Sequence, residues 1–314
     1  MTEADIKQTD VLKLMRTYDP PPEGFDPHTA PPELLRRHGL PRRPDPETEP
    51  ELARLFKRAF IRPAKYVKAE LALDPVMSRR DPLGGQLPDF GPSGWGGVVV
   101  VTSSLGYSPA EPANNVFAEW VVPFILPLDP APSEPIFVGL WVGLDGNTNK
   151  QVLQAGITAT LTPEYWGDPN ASVLWRAWTE WWTAEYQDPP LVVTNFPVAT
   201  GNTVSFLVCA PEPDHGFVAM QNRTTGQVTS VGINARPGIT LAGQSAEWIV
   251  EGSGADLPNF TPVTFTGCTG GTQHHSFNLT DGGIGNIRGS AGGPLTQTYI
   301  ASPTEAVVVW DGWS

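Results

Sequence analysis

From Trp95 onward, apolar and polar residues alternate with a period of two. The pattern recurs in VFAEWVVP, IFVGLWVGLDG, QVLQAGITATL, SVLWRAWTEWW, NTVSFLVCAP, GFVAMQNRTTGQVTSVGI, SAEWIVEG, PVTFTGC and EAVVVWDGWS. Gly, Pro, Asn and Asp separate these runs, as expected of strands joined by turns. QNRTTGQVT predicts a hairpin with Thr224, Thr225 and Gly226 in its turn. No stretch beyond Trp95 carries a long helical period. Many short strands with irregular turns predict an all-β domain, a sandwich of two antiparallel sheets.

Residues 1–90 follow a different pattern. Proline clusters such as DPPPEGFDP and LPRRPDPETEP alternate with short amphipathic segments. Pro31 and Pro32 precede Glu33, Leu34 and Leu35, which fits a helix start, because proline is tolerated in the first turn. Leu52, Leu55, Phe56 and Phe60 fall at helical spacing. Helices this short need a surface to lie on. The expected organisation is therefore an N-terminal arm, 1–90, packed on a β-sandwich domain, 91–314.

Charge sharpens this division. Of 20 Lys and Arg, 15 lie in residues 1–90, together with 15 of the 33 Asp and Glu. The whole net charge of −13 thus belongs to residues 91–314. So acidic a surface repels phosphates and excludes nucleic acid as an expected partner. It also suggests that the arm, which holds most of the basic residues, docks electrostatically, either covering a groove or serving as a permanent structural cover. The apolar runs are too short for a membrane-spanning helix, and the first residues lack the pattern of a secretory signal. Localisation is left open between the cytoplasm and export by a non-standard route. The two cysteines, Cys209 and Cys268, allow at most one disulfide.

Several positions carry candidate chemistry. In SAEWIVEG, Glu247 and Glu251 share a strand face with Ser245 and Ile249, while Ala246, Trp248 and Val250 face the other way. In WRAWTEWW, Arg176, Trp178, Glu180 and Trp182 share one face. A face that mixes tryptophan with charge suits a groove better than a core. Gln154 lies on a face with Val152 and Gly156, and the missing side chain at Gly156 would let a ligand backbone approach. Trp141, Gly143 and Asp145 fall together at a strand end. The pair His274–His275 has no carboxylate or cysteine at ligand spacing, so no metal or other cofactor is expected. There is no GxSxG elbow.

SGWGG at 93–97, FAEWVVP at 117–123, WVGLDG at 141–146, LQAG at 153–156, WRAWTEWW at 175–182, NRTTGQ at 222–227 and SAEWIVE at 245–251 together resemble the glutamic peptidases, or eqolisins. The resemblance implies a β-sandwich of concanavalin or lectin type with an open groove. It implies acid endopeptidase activity on polypeptides, with Gln154 and Glu247 as the catalytic pair and no covalent intermediate. It further implies that Trp95, Trp141, Asp145, Trp178, Glu180 and Trp182 bind substrate. Trp182 stands where the family tends to have tyrosine. Carboxylates crowded around Glu247 would raise its pKa and give a rate that falls toward neutrality. Two other readings remain open at this point. One is a lectin-like sandwich without catalysis. The other is a glycoside hydrolase using Glu180 and Glu247.

Overall fold

A computed structural model describes residues 10–61, 64–73, 94–107, 111–126, 135–161, 173–252, 257–289 and 292–312. Ser93 of SGWGG and residues 1–9 and 74–90 of the arm lie outside them. Two large sheets pack face to face. One runs in the order β18 (Gly283–Gly285), β4 (Trp95–Val101), β14 (Ser245–Gly252), β7 (Ile136–Leu144), β8 (Gln151–Leu161), β9 (Trp175–Thr183), β10 (Leu191–Val198) and β3 (Leu71–Leu73). We call this the site sheet.

The other, the back sheet, runs β1 (Met15–Thr17), β13 (Gln227–Asn234), β12 (His215–Asn222), β11 (Thr203–Glu212), β5 (Asn115–Val121), β16 (Val263–Gly271), β20 (Glu305–Trp310) and β19 (Thr296–Ser302). β2 (Lys65–Tyr66) joins β13 in parallel, and β17 (Ser276–Phe277) joins β16. A small separate ribbon pairs β6 (Ile125–Leu126) with β15 (Asn259–Phe260). The expected hairpin joins β12 to β13, with Gly226 at a φ of 74° in its turn. Among the described residues no helix is long and apolar enough to cross a membrane.

The period-two pattern explains the packing. On β14, Ala246, Trp248 and Val250 enter the core between the sheets. Leu140, Val142 and Leu144 of β7 do the same, as do Leu153, Ala155 and Ile157 of β8 and Trp175, Ala177 and Trp181 of β9. The Trp248 indole crosses this core and donates to the Phe117 carbonyl of β5 at 2.9 Å, tying the two sheets together. The alternate residues of the same strands therefore point outward from the site sheet. There they form a second apolar cluster of Trp95, Val99, Trp141, Val152, Trp178, Trp182, Val192 and Ile249.

The arm takes the opposite side of the molecule. Helices α1 (Pro32–Arg37) and α2 (Pro50–Ala59) both begin on proline, as the sequence implies. Leu35, Leu55, Phe56 and Phe60 pack against Phe117, Leu207, Phe217 and Ala219 on the outer face of the back sheet. β1 and β2 then extend the back sheet at β13, and β3 extends the site sheet at β10. The described ion pairs of the arm are internal to it. Arg42 pairs with Glu49, Arg54 with Glu51, and Lys68 with Asp19, all within the arm. Among the described residues, some charges cross in the reverse sense, with arm acids near sandwich bases: Asp10 feels Arg236, and Glu49 feels His274. Apolar burial and strand pairing hold the described arm in place.

Phe56→Ala and Phe60→Ala should each cost about 3–5 kcal/mol of stability, because each empties a buried aromatic site. Chemical denaturation measures this. Small losses, combined with a steep fall in stability on adding salt, would instead indicate docking by charge.

Candidate active site

Strand register builds the site. Glu247 of β14 lies opposite Gly143 of β7, Gly143 opposite Gln154 of β8, and Gln154 opposite Glu180 of β9. Residues directly opposite one another in antiparallel strands share a face. One row across the outer face of the site sheet thus reads Glu247, Gly143, Gln154, Glu180. Glu247 and Gln154 stand two strands apart, about 10 Å between backbones, with a residue lacking a side chain between them. A Cβ at Gly143 would come within 2.9 Å of the Trp141 ring and 3.3 Å of the Gln154 Cβ. The gap between acid and amide therefore exists because position 143 is glycine. Sequence reading placed Gly143 on the right face, but its function is visible only once the register is known.

The next row reads Ile249, Trp141, Gly156, Trp178, Val192. The role expected for Gly156 changes here. A Cβ at that position would meet the Leu140 carbonyl at 2.1 Å and Trp141 Cβ at 2.5 Å, so Gly156 makes room for Trp141. Trp141 itself is fully buried, stacks edge-on against Trp95 at 4.7 Å, and donates its indole N–H to Glu251 at 3.0 Å. Trp178 is also fully buried and donates to the Thr158 hydroxyl at 2.8 Å. Both rings were expected to bind substrate; in the structure both are fully buried on the face that carries Glu247 and Gln154. Trp95, Gln154, Glu180 and Trp182 each keep a small accessible area on the same face.

Asp145 is also placed differently from the expectation. It is fully buried and adopts a left-handed φ of 67° at the end of β7. Its carboxylate accepts from the backbone N–H groups of Ala242, Gly243 and Gln244 at 2.8, 3.0 and 2.7 Å, and from the Asn149 amide at 2.8 Å. Its own N–H donates to the Ser245 carbonyl. Asp145 thus clamps the loop that delivers β14, and so sets the position of Glu247.

Glu247 is the least stabilised charge in the site. It is fully buried, and neither carboxylate oxygen makes a well-formed hydrogen bond to the protein. Burial pushes its pKa well above the usual 4.5. The Asp145 charge adds to the rise, and the Ser245 hydroxyl, two residues back on the same face, gives only partial relief. Gln154 donates from Nε2 to Glu180 Oε2 at 2.7 Å, while its Oε1 is buried without a protein partner. Glu247, its pKa raised by burial, and Gln154, its amide held by Glu180, thus lie on one face on either side of Gly143. With the carboxyl ionised, such a pair can activate water and stabilise an oxyanion. The row also puts Glu180 three strands from Glu247, about 14 Å between backbones, with Gln154 in between. Among the described residues, the group that could hold a metal is Glu212, Asp214 and His215, exposed on the β11–β12 hairpin of the back sheet. Both cysteines are free thiols.

The model of the peptidase A4 family matches residues 93–310. Aspergillopepsin-2 of Aspergillus niger is 28% identical over 181 residues, covering 56% of this chain and 60% of its own length. Scytalidopepsin B of Scytalidium lignicola is 27% identical over 160 residues, covering 47% and 56%. The match thus spans less than two thirds of either relative. The crystal structure of scytalido-glutamic peptidase with a transition state analog inhibitor superposes with a TM-score of 0.54 at 22% identity, over 69% of this chain and 98% of that one. A second structure of that peptidase, with a peptide-based transition state analog, gives 0.53 at 23%. At this identity, what is shared is the β-sandwich fold.

Two outcomes test the site geometry. Replacing Asp145 with Ala leaves three backbone N–H groups without their acceptor and should cost about 3 kcal/mol or more in denaturant unfolding. The second concerns Glu247. Its folded pKa is raised, so the native state keeps a proton that the unfolded chain releases near 4.5. Stability is therefore lost as pH rises above that value, by about 1.4 kcal/mol per pH unit until the folded pKa is reached. Glu247→Gln should raise the melting temperature at pH 7 and leave it unchanged below pH 4. An equal shift at both pH values would contradict the buried, proton-bound acid.

Proposed function

We propose that this chain, which belongs to the peptidase A4 family, hydrolyses peptide bonds in polypeptides with Glu247 as base and Gln154 as oxyanion donor. The observation that carries the reading is the row of Glu247, Gly143 and Gln154 on one outer sheet face. A scissile peptide laid across Gly143 would bring its carbonyl between the two side chains. Ionised Glu247 takes a proton from water as the water oxygen attacks the carbonyl carbon. One Gln154 N–H is held by Glu180; an amide nitrogen has two, and the second is left for the oxyanion. The unpartnered Oε1 of Gln154 can accept from the attacking water. The proton on Glu247 then passes to the leaving nitrogen as the C–N bond breaks.

Family membership and the relatives' names as peptidases support this reading over a lectin-like sandwich. The position of Gln154 between the two acids, bonded to Glu180, argues against a glycoside hydrolase, in which two carboxyl groups flank the bond about 5–10 Å apart.

The pH dependence expected from sequence changes at its acid end. The groups facing Glu247 are Asp145 from β7, Ser245 and Glu251 from its own strand, and Gln154 and Glu180 farther along the row; β4 offers Val99. No cation figures among the influences on it, so the base ionises only above the ordinary carboxylate range.

Incubating the protein with denatured casein from pH 2 to 8 tests the proposal. Cleavage should rise as pH increases beyond 4.5, disappear in Glu247→Gln, and fall about 10²–10³-fold in Gln154→Ala. Cleavage that persists in Glu247→Gln, or peaks below pH 4, would overturn it.

A further inference from the structure

Glu180 was expected to touch substrate, yet its geometry suits another task. It is nine-tenths buried, lies directly across β9 from Gln154, and accepts from the Gln154 amide at 2.7 Å. The strand pair is locked at the same point, because the Thr179 hydroxyl donates to the Gln154 carbonyl at 3.2 Å. A free glutamine side chain can turn its amide over and exchange donor for acceptor. A carboxylate accepts only, so beside Glu180 the amide must present its nitrogen. Amide oxygen and nitrogen diverge from one carbon, so fixing the nitrogen toward Glu180 turns Oε1 away from it. That oxygen is buried and has no protein partner.

We infer that Glu180 is a positioning residue: its carboxylate selects one of the two orientations of the Gln154 amide, so that Oε1 faces the gap shared with Glu247. The inference rests on the peptidase reading for its consequence, though not for its geometry. Without Glu180, the amide samples both orientations and loses the arrangement that holds water and oxyanion together. The effect should appear in turnover more than in substrate binding.

Two measurements separate this role from direct substrate contact. In the first, the protein is labelled with ¹⁵N-glutamine, and the Gln154 side-chain amide is identified by its loss in Gln154→Ala. In the wild type, one of its two N–H signals should be shifted downfield and protected from exchange. Glu180→Ala should abolish both features. Glu180→Gln, which preserves shape but can donate or accept, should weaken them. Unchanged Gln154 signals in both variants would overturn the inference, whether or not the protein cleaves peptides. In the second, casein-derived peptide kinetics form a double-mutant cycle. Glu180→Ala should lower kcat about tenfold to hundredfold with KM within about twofold, and should have no further effect in the Gln154→Ala background. A rise in KM that persists in that background would assign Glu180 to substrate contact. If the wild type cleaves nothing, the functional reading fails, and the amide signals alone decide the role of Glu180.

Discussion

The site depends on strand register. Antiparallel pairing of β14, β7, β8 and β9 brings residues far apart in sequence into one straight row. A shift of one residue in any of these strands would turn its contribution into the inter-sheet core. Glu247 would change places with Ala246 or Trp248, and Gln154 with Leu153 or Ala155. The register is held because the inner face of each strand is strongly apolar. The same alternation that buries Trp248, Leu144, Leu153 and Trp181 therefore also aims the acid and the amide. Fold and site are two faces of one pattern.

Burying an acid that makes no well-formed hydrogen bond to the protein works against stability, and the surroundings show how it is tolerated. The buried indoles of Trp141 and Trp178 floor the site and find partners in Glu251 and Thr158. Asp145, itself fully buried, is satisfied by three backbone donors and can hold the β14 approach in place. The raised pKa of Glu247 lets proton uptake, where it occurs, remove the cost of a buried charge. The arm contributes from a distance. By covering the outer face of the back sheet with Phe56 and Phe60, it shields apolar surface on the side of the sandwich that does not bear the site.

Much of this was legible in the sequence, for a physical reason. Period-two alternation reports which residues share a face, so the sandwich, the inner and outer faces of SAEWIVEG and WRAWTEWW, and the outward placement of Gln154 could all be read. Face membership does not report depth, and this explains the differences. Trp141 and Trp178 share the face of the site yet lie beneath its surface. Asp145 stands at the right strand end but turns to backbone donors. Gly156 serves Trp141, while Gly143 opens the gap. Each of these distinctions depends on cross-strand partners, which a single strand's sequence does not contain. How the arm packs was not legible for a related reason: its basic residues are visible in composition, but their pairing with acids of the same arm is not.

The most direct test of the shared row is a crystal structure of the protein bound to a peptide whose scissile carbonyl is replaced by a tetrahedral phosphinate. The account predicts the phosphorus above Gly143, with one oxygen within hydrogen-bonding distance of Gln154 Nε2 and the other beside the Glu247 carboxyl. A peptide bound along another face, or a phosphorus centre that reaches neither side chain, would contradict it.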